Sequence, residues 1–258
     1  MKATLILCLL GTSLSVHAAT LSVNYQDVVP NATPGTSYAF PTGPGADWGY
    51  YQQQGDPGAF ATSLSAYNSA DFSGNRNFVL STLNGGNLRG PGDITTGAPL
   101  SYFDYSNGEF PVSANDFRPT GLFNSQLGSA GATAKSGVQM NLTSFSGPTQ
   151  IQVWTYGFQS TGLFEVFVNG ATTSAYSQSV TVTSVSTPVA GKIGQLFTIN
   201  FTPDNLFSSI DITYRMTASS NASSHVGFQA IAVSPIPEPA GLSLLGIAGV
   251  LGFIRRRR

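Results

Sequence analysis

The chain has 258 residues, room for one large domain or two small ones and enough to bury a core without metals or disulfides. Only 9% of residues are charged, while Gly (29), Pro (15), Phe (17) and Tyr (10) are plentiful; this mix argues against helical bundles, coiled coils and disorder, and suits short strands joined by Gly/Pro turns. The formal net charge is −1, yet setting aside Lys2 and Arg255 to Arg258 leaves six basic residues against twelve acidic ones, a balance with no footprint for phosphate backbones, so nucleic acid is not expected as a partner.

At the N-terminus Met1-Lys2 precedes an apolar run from Ala3 to Leu14, and Val16 and Ala18 supply the small residues of a cleavage site. This order predicts a secretory signal peptide over residues 1–18. The only cysteine, Cys8, leaves with it, and so does His17, which makes His225 the single histidine of the mature chain. Cysteine nucleophiles, thiolate metal sites and zinc sites built on several histidines are thereby removed, and no cofactor is expected.

The body, residues 19–234, opens on a strand at Leu21, Val23 and Tyr25, with further strands expected at Phe78-Val79-Leu80 and Tyr102-Phe103-Asp104-Tyr105. Long Gly/Pro-rich loops lie between them. From Gln139 onward the alternation is regular. Val138, Met140 and Leu142 share a face, Ile151 to Phe158 is rich in β-branched and aromatic residues, and Leu163 to Val168 ends on the turn dipeptide Asn169-Gly170. Val180 to Thr183, Leu196 to Phe201, Ile210 to Met216 and Val226 to Val233 complete about seven strands. The predicted fold is all-β, a jelly-roll-like antiparallel β-sandwich in which the N-terminal strands complete both sheets. The alternative is a two-domain division near Gly131.

Residues that could carry chemistry are few. Asp47 beside Trp48 and Tyr50 has the make-up of a sugar subsite, a ring for stacking and a carboxylate to accept hydroxyls. Tyr51 adds a further loop aromatic, and Asp104 between Phe103 and Tyr105 has a similar setting. Packing is the commoner use of such rings. Glu109 and Glu165 are the only glutamates before the tail, so a glycoside hydrolase, which needs two facing carboxylates, is a weak reading. Glu165 is expected on an edge strand reaching solvent, Asp211 and Arg215 as a solvent-side pair on one strand face, and His225 in a loop. No Gly-x-Ser-x-Gly elbow accompanies that histidine. Asp93, Asp104 and Asp116 are too scattered for a calcium loop, and no metal site is expected.

The chain closes with Pro237-Glu238-Pro239, an uncharged apolar stretch to Ile254, and Arg255, Arg256, Arg257 and Arg258. Residues 235–258 thus read as a stiff segment, a short transmembrane helix and a cationic stop held on the cytoplasmic side. This order, paired with a signal peptide, resembles the PEP-CTERM sorting signal of exported bacterial proteins. The resemblance implies recognition by an exosortase, a membrane enzyme that removes the tail and passes the protein to the cell surface or extracellular matrix. Pro237, Glu238 and Pro239 would be its recognition residues. The segment Gln150 to Gly170 and the strand closing at Val233 resemble galactose-binding-like jelly rolls of bacterial surface proteins. The expected function is accordingly a non-catalytic surface or matrix protein, anchored in the membrane through its C-terminal helix before processing. The alternative is a carbohydrate-binding module for extracellular polysaccharide.

Overall fold

The structure, a computed structural model, describes residues 18–28, 37–52, 62–70, 78–90, 101–109, 111–117, 121–128, 135–182, 194–205, 207–220 and 222–237. Most of the signal peptide, Glu238, Pro239, the apolar stretch and the four terminal arginines lie outside these residues. Among the described residues all regular structure is β, and no helix is long and apolar enough to cross a membrane. The strands in the first half are β1 (Thr20–Val28), β2 (Tyr38–Ala39), β3 (Asp47–Tyr50), β4 (Ser63–Leu64), β5 (Asn68–Ala70), β6 (Leu80–Leu83), β7 (Leu88–Arg89), β8 (Phe103–Tyr105), β9 (Ala114–Phe117) and β10 (Leu122–Asn124). Those in the second half are β11 (Gly137–Leu142), β12 (Thr149–Phe158), β13 (Ser160–Val168), β14 (Tyr176–Val182), β15 (Gly194–Thr202), β16 (Ile210–Ser219) and β17 (His225–Pro235).

Two sheets face each other. One has the order β1-β15-β12-β17-β10-β7, with β3 also on β17 and β5 on β3; the other has the order β14-β13-β16-β11-β6-β4. Strands from both halves of the chain enter both sheets. The pairings within these two sheets are antiparallel. The period-two alternation explains the packing. Ile151 and Val153, Phe197, Ile199 and Phe201, and Ile231 and Val233 point inward from one sheet. Val138, Met140 and Leu142, Phe164 and Val166, and Ile210, Ile212 and Tyr214 meet them from the other. Phe164 stacks on Phe197 across the interface with ring centroids 3.7 Å apart.

The structure adds a third layer to the expected two. The small sheet β2-β8-β9 covers the outer face of the eight-stranded sheet and closes a second core of Phe40, Trp48, Tyr50, Phe103, Tyr105 and Trp154, with Ala230 and Ala232. Its β2–β8 pairing is parallel. On β17, Ala232 lies opposite Trp48, and Ala230 lies between Tyr50 and Trp154; methyl-sized residues there leave space for the flanking rings. The pairing of β12 with β17 shifts register between Trp154 and Thr155, where β17 carries Gln229 as its extra residue. That bulge turns both Ile231 and Phe228 into the main core. It also leaves the Gln229 side chain to bond the Ser101 backbone, donating to its carbonyl at 2.7 Å and accepting from its N–H at 3.1 Å.

Candidate functional site

The sugar-subsite expectation at Asp47, Trp48 and Tyr50 is corrected by burial. All three are fully inaccessible, as is Tyr51. Strand β3 is hydrogen-bonded on both sides, by β17 and β5, and its alternate residues point into different cores. Trp48 stacks on Phe40 at 4.6 Å and donates its indole N–H to Asn107 Oδ1 at 2.9 Å. Tyr51 lies in the main core, its hydroxyl donating to the Phe78 carbonyl at 2.8 Å. Trp48 and Tyr50 hold the third layer on, Tyr51 fills the main core, and none of the three offers a face to a ligand. Asp104 flanks the same core, on β8.

Three other expectations change for reasons of register. Strand β13 is not an edge strand, since β14 pairs outside it. Glu165 is half-buried and accepts a hydrogen bond from Arg215 Nε at 2.7 Å. Arg215 therefore pairs across strands with Glu165 and not along its own strand with Asp211, because four residues of strand span about 13 Å. Asp211 instead accepts from the Asn141 amide. His225 opens β17 and is not a loop residue. Its ring stacks on Phe123 at 4.0 Å and on Phe158 at 5.7 Å, and its Nδ1 lies 2.8 Å from the Ser223 carbonyl. Burial pushes this imidazole down to about 4, so the ring is neutral at pH 7. The remaining glutamate, Glu109, sits beside Asn68 at the opposite side of the molecule from Glu165. The two lie beyond the separation of about 5 to 10 Å that glycoside hydrolysis uses. Among the described residues no three His, Cys, Asp or Glu side chains come together as a metal site.

The outer face of the six-stranded sheet carries a recess. Leu83, Asn84, Lys135, Glu165, Phe167, Thr213 and Arg215 line a groove of about 560 Å³, walled by Thr172, Thr173 and Ser174. The ladder explains its composition. Leu163, Glu165 and Phe167 on β13 oppose Arg215, Thr213 and Asp211 on β16, and all point away from the core filled by Phe164 and Val166. The wall follows from the turn after β13. Asn169 and Gly170 both adopt positive φ, +54° and +68°, and the Ala171 N–H closes the turn on the Val168 carbonyl at 3.1 Å. That is the geometry Asn-Gly favours. Side chains of the Glu165–Arg215 pair are 13% and 28% exposed, so the guanidinium is the more accessible charge. The Thr213 hydroxyl, opposite Glu165 in the ladder, is buried without a hydrogen-bond partner among the described residues.

Sequence reasoning singled out Glu165 and Arg215 separately and missed Lys135, Asn84 and the wall. The one available signal was scarcity. Lys135 and Arg215 belong to a set of only six basic residues in the body. Of the sorting-motif residues, Pro237 is described and exposed, three residues beyond the Ser234 that ends the expected body.

No family model matches the chain, and no curated protein matches it. Among solved structures it is similar to TmCBM61, determined in complex with β-1,4-galactotriose (10% identity over 58% of this chain and 88% of that chain, TM-score 0.29). It is also similar to the CBM36-1 domain of a multidomain xylanase from the hindgut metagenome of Trinervitermes trinervoides (8% identity over 61% of this chain and 98% of that chain, TM-score 0.28). No property of this chain's ligand follows from likenesses of that size.

Proposed function

We propose that this chain is an exported bacterial cell-surface or extracellular-matrix protein without catalytic activity. In this reading residues 1–18 direct export, the apolar stretch anchors the chain, and an exosortase-type enzyme recognises Pro237, Glu238 and Pro239. The supporting observation is the position of the two ends of the body. Thr20 pairs with Thr202, Phe201 with Thr149, and Thr149 with Pro235. Entry and exit therefore lie at one end of the sandwich, three strand spacings or about 15 Å apart. A body tethered there points its other end away from the membrane and leaves the outer face of the six-stranded sheet open to the side. Pro237, exposed two residues past β17, is accessible to a processing enzyme.

Intact mass and fractionation of the protein from its native host test this reading. The expected species lacks residues 1–18 and everything beyond the Pro237–Pro239 region, and is found at the surface or in the matrix. A chain that keeps its C-terminus in the membrane fraction overturns the sorting step.

A second reading, carbohydrate binding, is favoured by the groove. It combines the apolar side chain of Phe167, hydroxyl groups and an ion pair, the mixture that holds a polyhydroxylated ligand. The surface reading does not depend on it.

A further inference from the structure

We propose that the groove on the six-stranded sheet binds an acidic polysaccharide, a chain bearing carboxylates, through Lys135 and Arg215; this rests on the carbohydrate-binding reading. Charge placement is the first argument. The described residues include three basic side chains, Arg89, Lys135 and Arg215, against eight acidic ones. Two of the three basic residues line this one groove, and a single acid, Glu165, accompanies them. On a body with a twofold excess of acids, the lining of this recess carries one net positive charge, with Asp211 on the same sheet face opposite Phe167 and bonded to the Asn141 amide.

The second argument is the state of the guanidinium. Arg215 gives Nε to Glu165 and makes no other hydrogen bond among the described residues. Its outer nitrogens remain available, and the bond at Nε fixes the plane of the fork. A preset planar fork suits a ligand carboxylate, which can accept two parallel N–H bonds. Lys135 adds a second cation near the Leu83–Asn84 end of the groove. The wall of Thr172, Thr173 and Ser174 matches hydroxyl groups of the sugar between charges. Two cations in one recess fit one or two carboxylates along a chain. They do not fit a nucleic-acid backbone, which presents a phosphate about every 1.7 Å of duplex.

The test uses the full chain in detergent and three probes in titration calorimetry: oligogalacturonate, the same oligomer methyl-esterified, and a neutral galacto-oligosaccharide. The free acid is expected to bind at least tenfold more tightly than either neutral probe, with affinity falling as salt is added. Lys135→Ala should weaken the acid about three- to tenfold with unchanged circular dichroism, a loss typical of one exposed charge contact. Glu165→Gln removes the competing carboxylate while its amide oxygen can still accept from Arg215 Nε, and should strengthen binding of the free acid, which a merely structural role for the pair would not produce. Equal affinity for acid and ester overturns the acidic preference and leaves the carbohydrate reading standing. Failure of all three probes overturns both. Binding of a DNA oligonucleotide as tight as that of the uronate overturns the proposal as non-specific charge attraction.

Discussion

Trp48 and His225 owe their roles to what surrounds them. Trp48 is enclosed by Phe40, Tyr50 and Tyr105 and tied to Asn107. Trp48→Ala should lower unfolding stability by roughly 3 to 5 kcal/mol, measured by urea titration, while uronate binding by the folded fraction is unaffected. His225 lies between aromatic rings, and burial holds it at about 4, below the ordinary value of about 6.5. The unfolded chain therefore takes up this proton first as pH falls. The stability contributed by the neutral ring is complete above about pH 6.5 and is lost progressively down to about pH 4. Unfolding midpoints measured across that window should decline, and His225→Phe, which keeps the stacking, should flatten the decline. A variant curve parallel to the wild type would assign the effect to other groups. For Glu165 and Arg215, a double-mutant cycle should give a coupling of up to about 1 kcal/mol, the scale of a partly exposed pair.

At the scale of elements, strand β13 joins the core to the groove. Its inner face includes Gly162, where a Cβ would run into the Tyr214 ring. The missing side chain lets that ring lie flat under the strand beside Phe164 and Phe228. Gly162→Ala should destabilise the fold by roughly 1 to 3 kcal/mol. Combined with Tyr214→Ala the two losses should be less than additive, and full additivity would show that the ring does not need the gap. The outer face of the same strand places Glu165 and Phe167 on the groove floor. The alternation that reads as one half-buried strand thus packs the core on one side and lines the groove on the other. Strand β17 works through its bulge. Phe228 and Ile231 share the main core, three residues apart, only because Gln229 is extra.

For the whole molecule, three layers mean two cores of different strength. The main core is bounded by strands of up to eleven residues, whereas β2, β8 and β9 have two to four. Native-state hydrogen exchange should reflect this. The amides of Tyr38 and Phe40, bonded to the Tyr102 and Asp104 carbonyls, should exchange well before those of Val153 and Ile199. Uniform protection would mean that the third layer opens only with the sandwich.

The class of fold was legible because period-two alternation is a local property. Val138 to Leu142, Ile151 to Phe158 and Ile210 to Met216 each declare a strand and a buried face without reference to partners. The Asn169-Gly170 turn is equally local, since the required backbone angles belong to those two residues. Most strands of two to four residues were not legible, as β2, β3, β4, β5, β7, β9 and β10 are too short to show a period, whereas the runs Phe78 to Leu80 and Tyr102 to Tyr105 pointed to β6 and β8. The site depended on strand order. Which aromatics are covered depends on a layer formed by distant residues, so Trp48 reads like a surface ring and is core. Arg215 meets Glu165 only because β13 and β16 are neighbours at one particular register. Composition and alternation determined a thiol-free β-sandwich with few charges; only the tertiary structure decided which charges meet, because side chains fifty residues apart come within 3 Å through pairings no local pattern encodes.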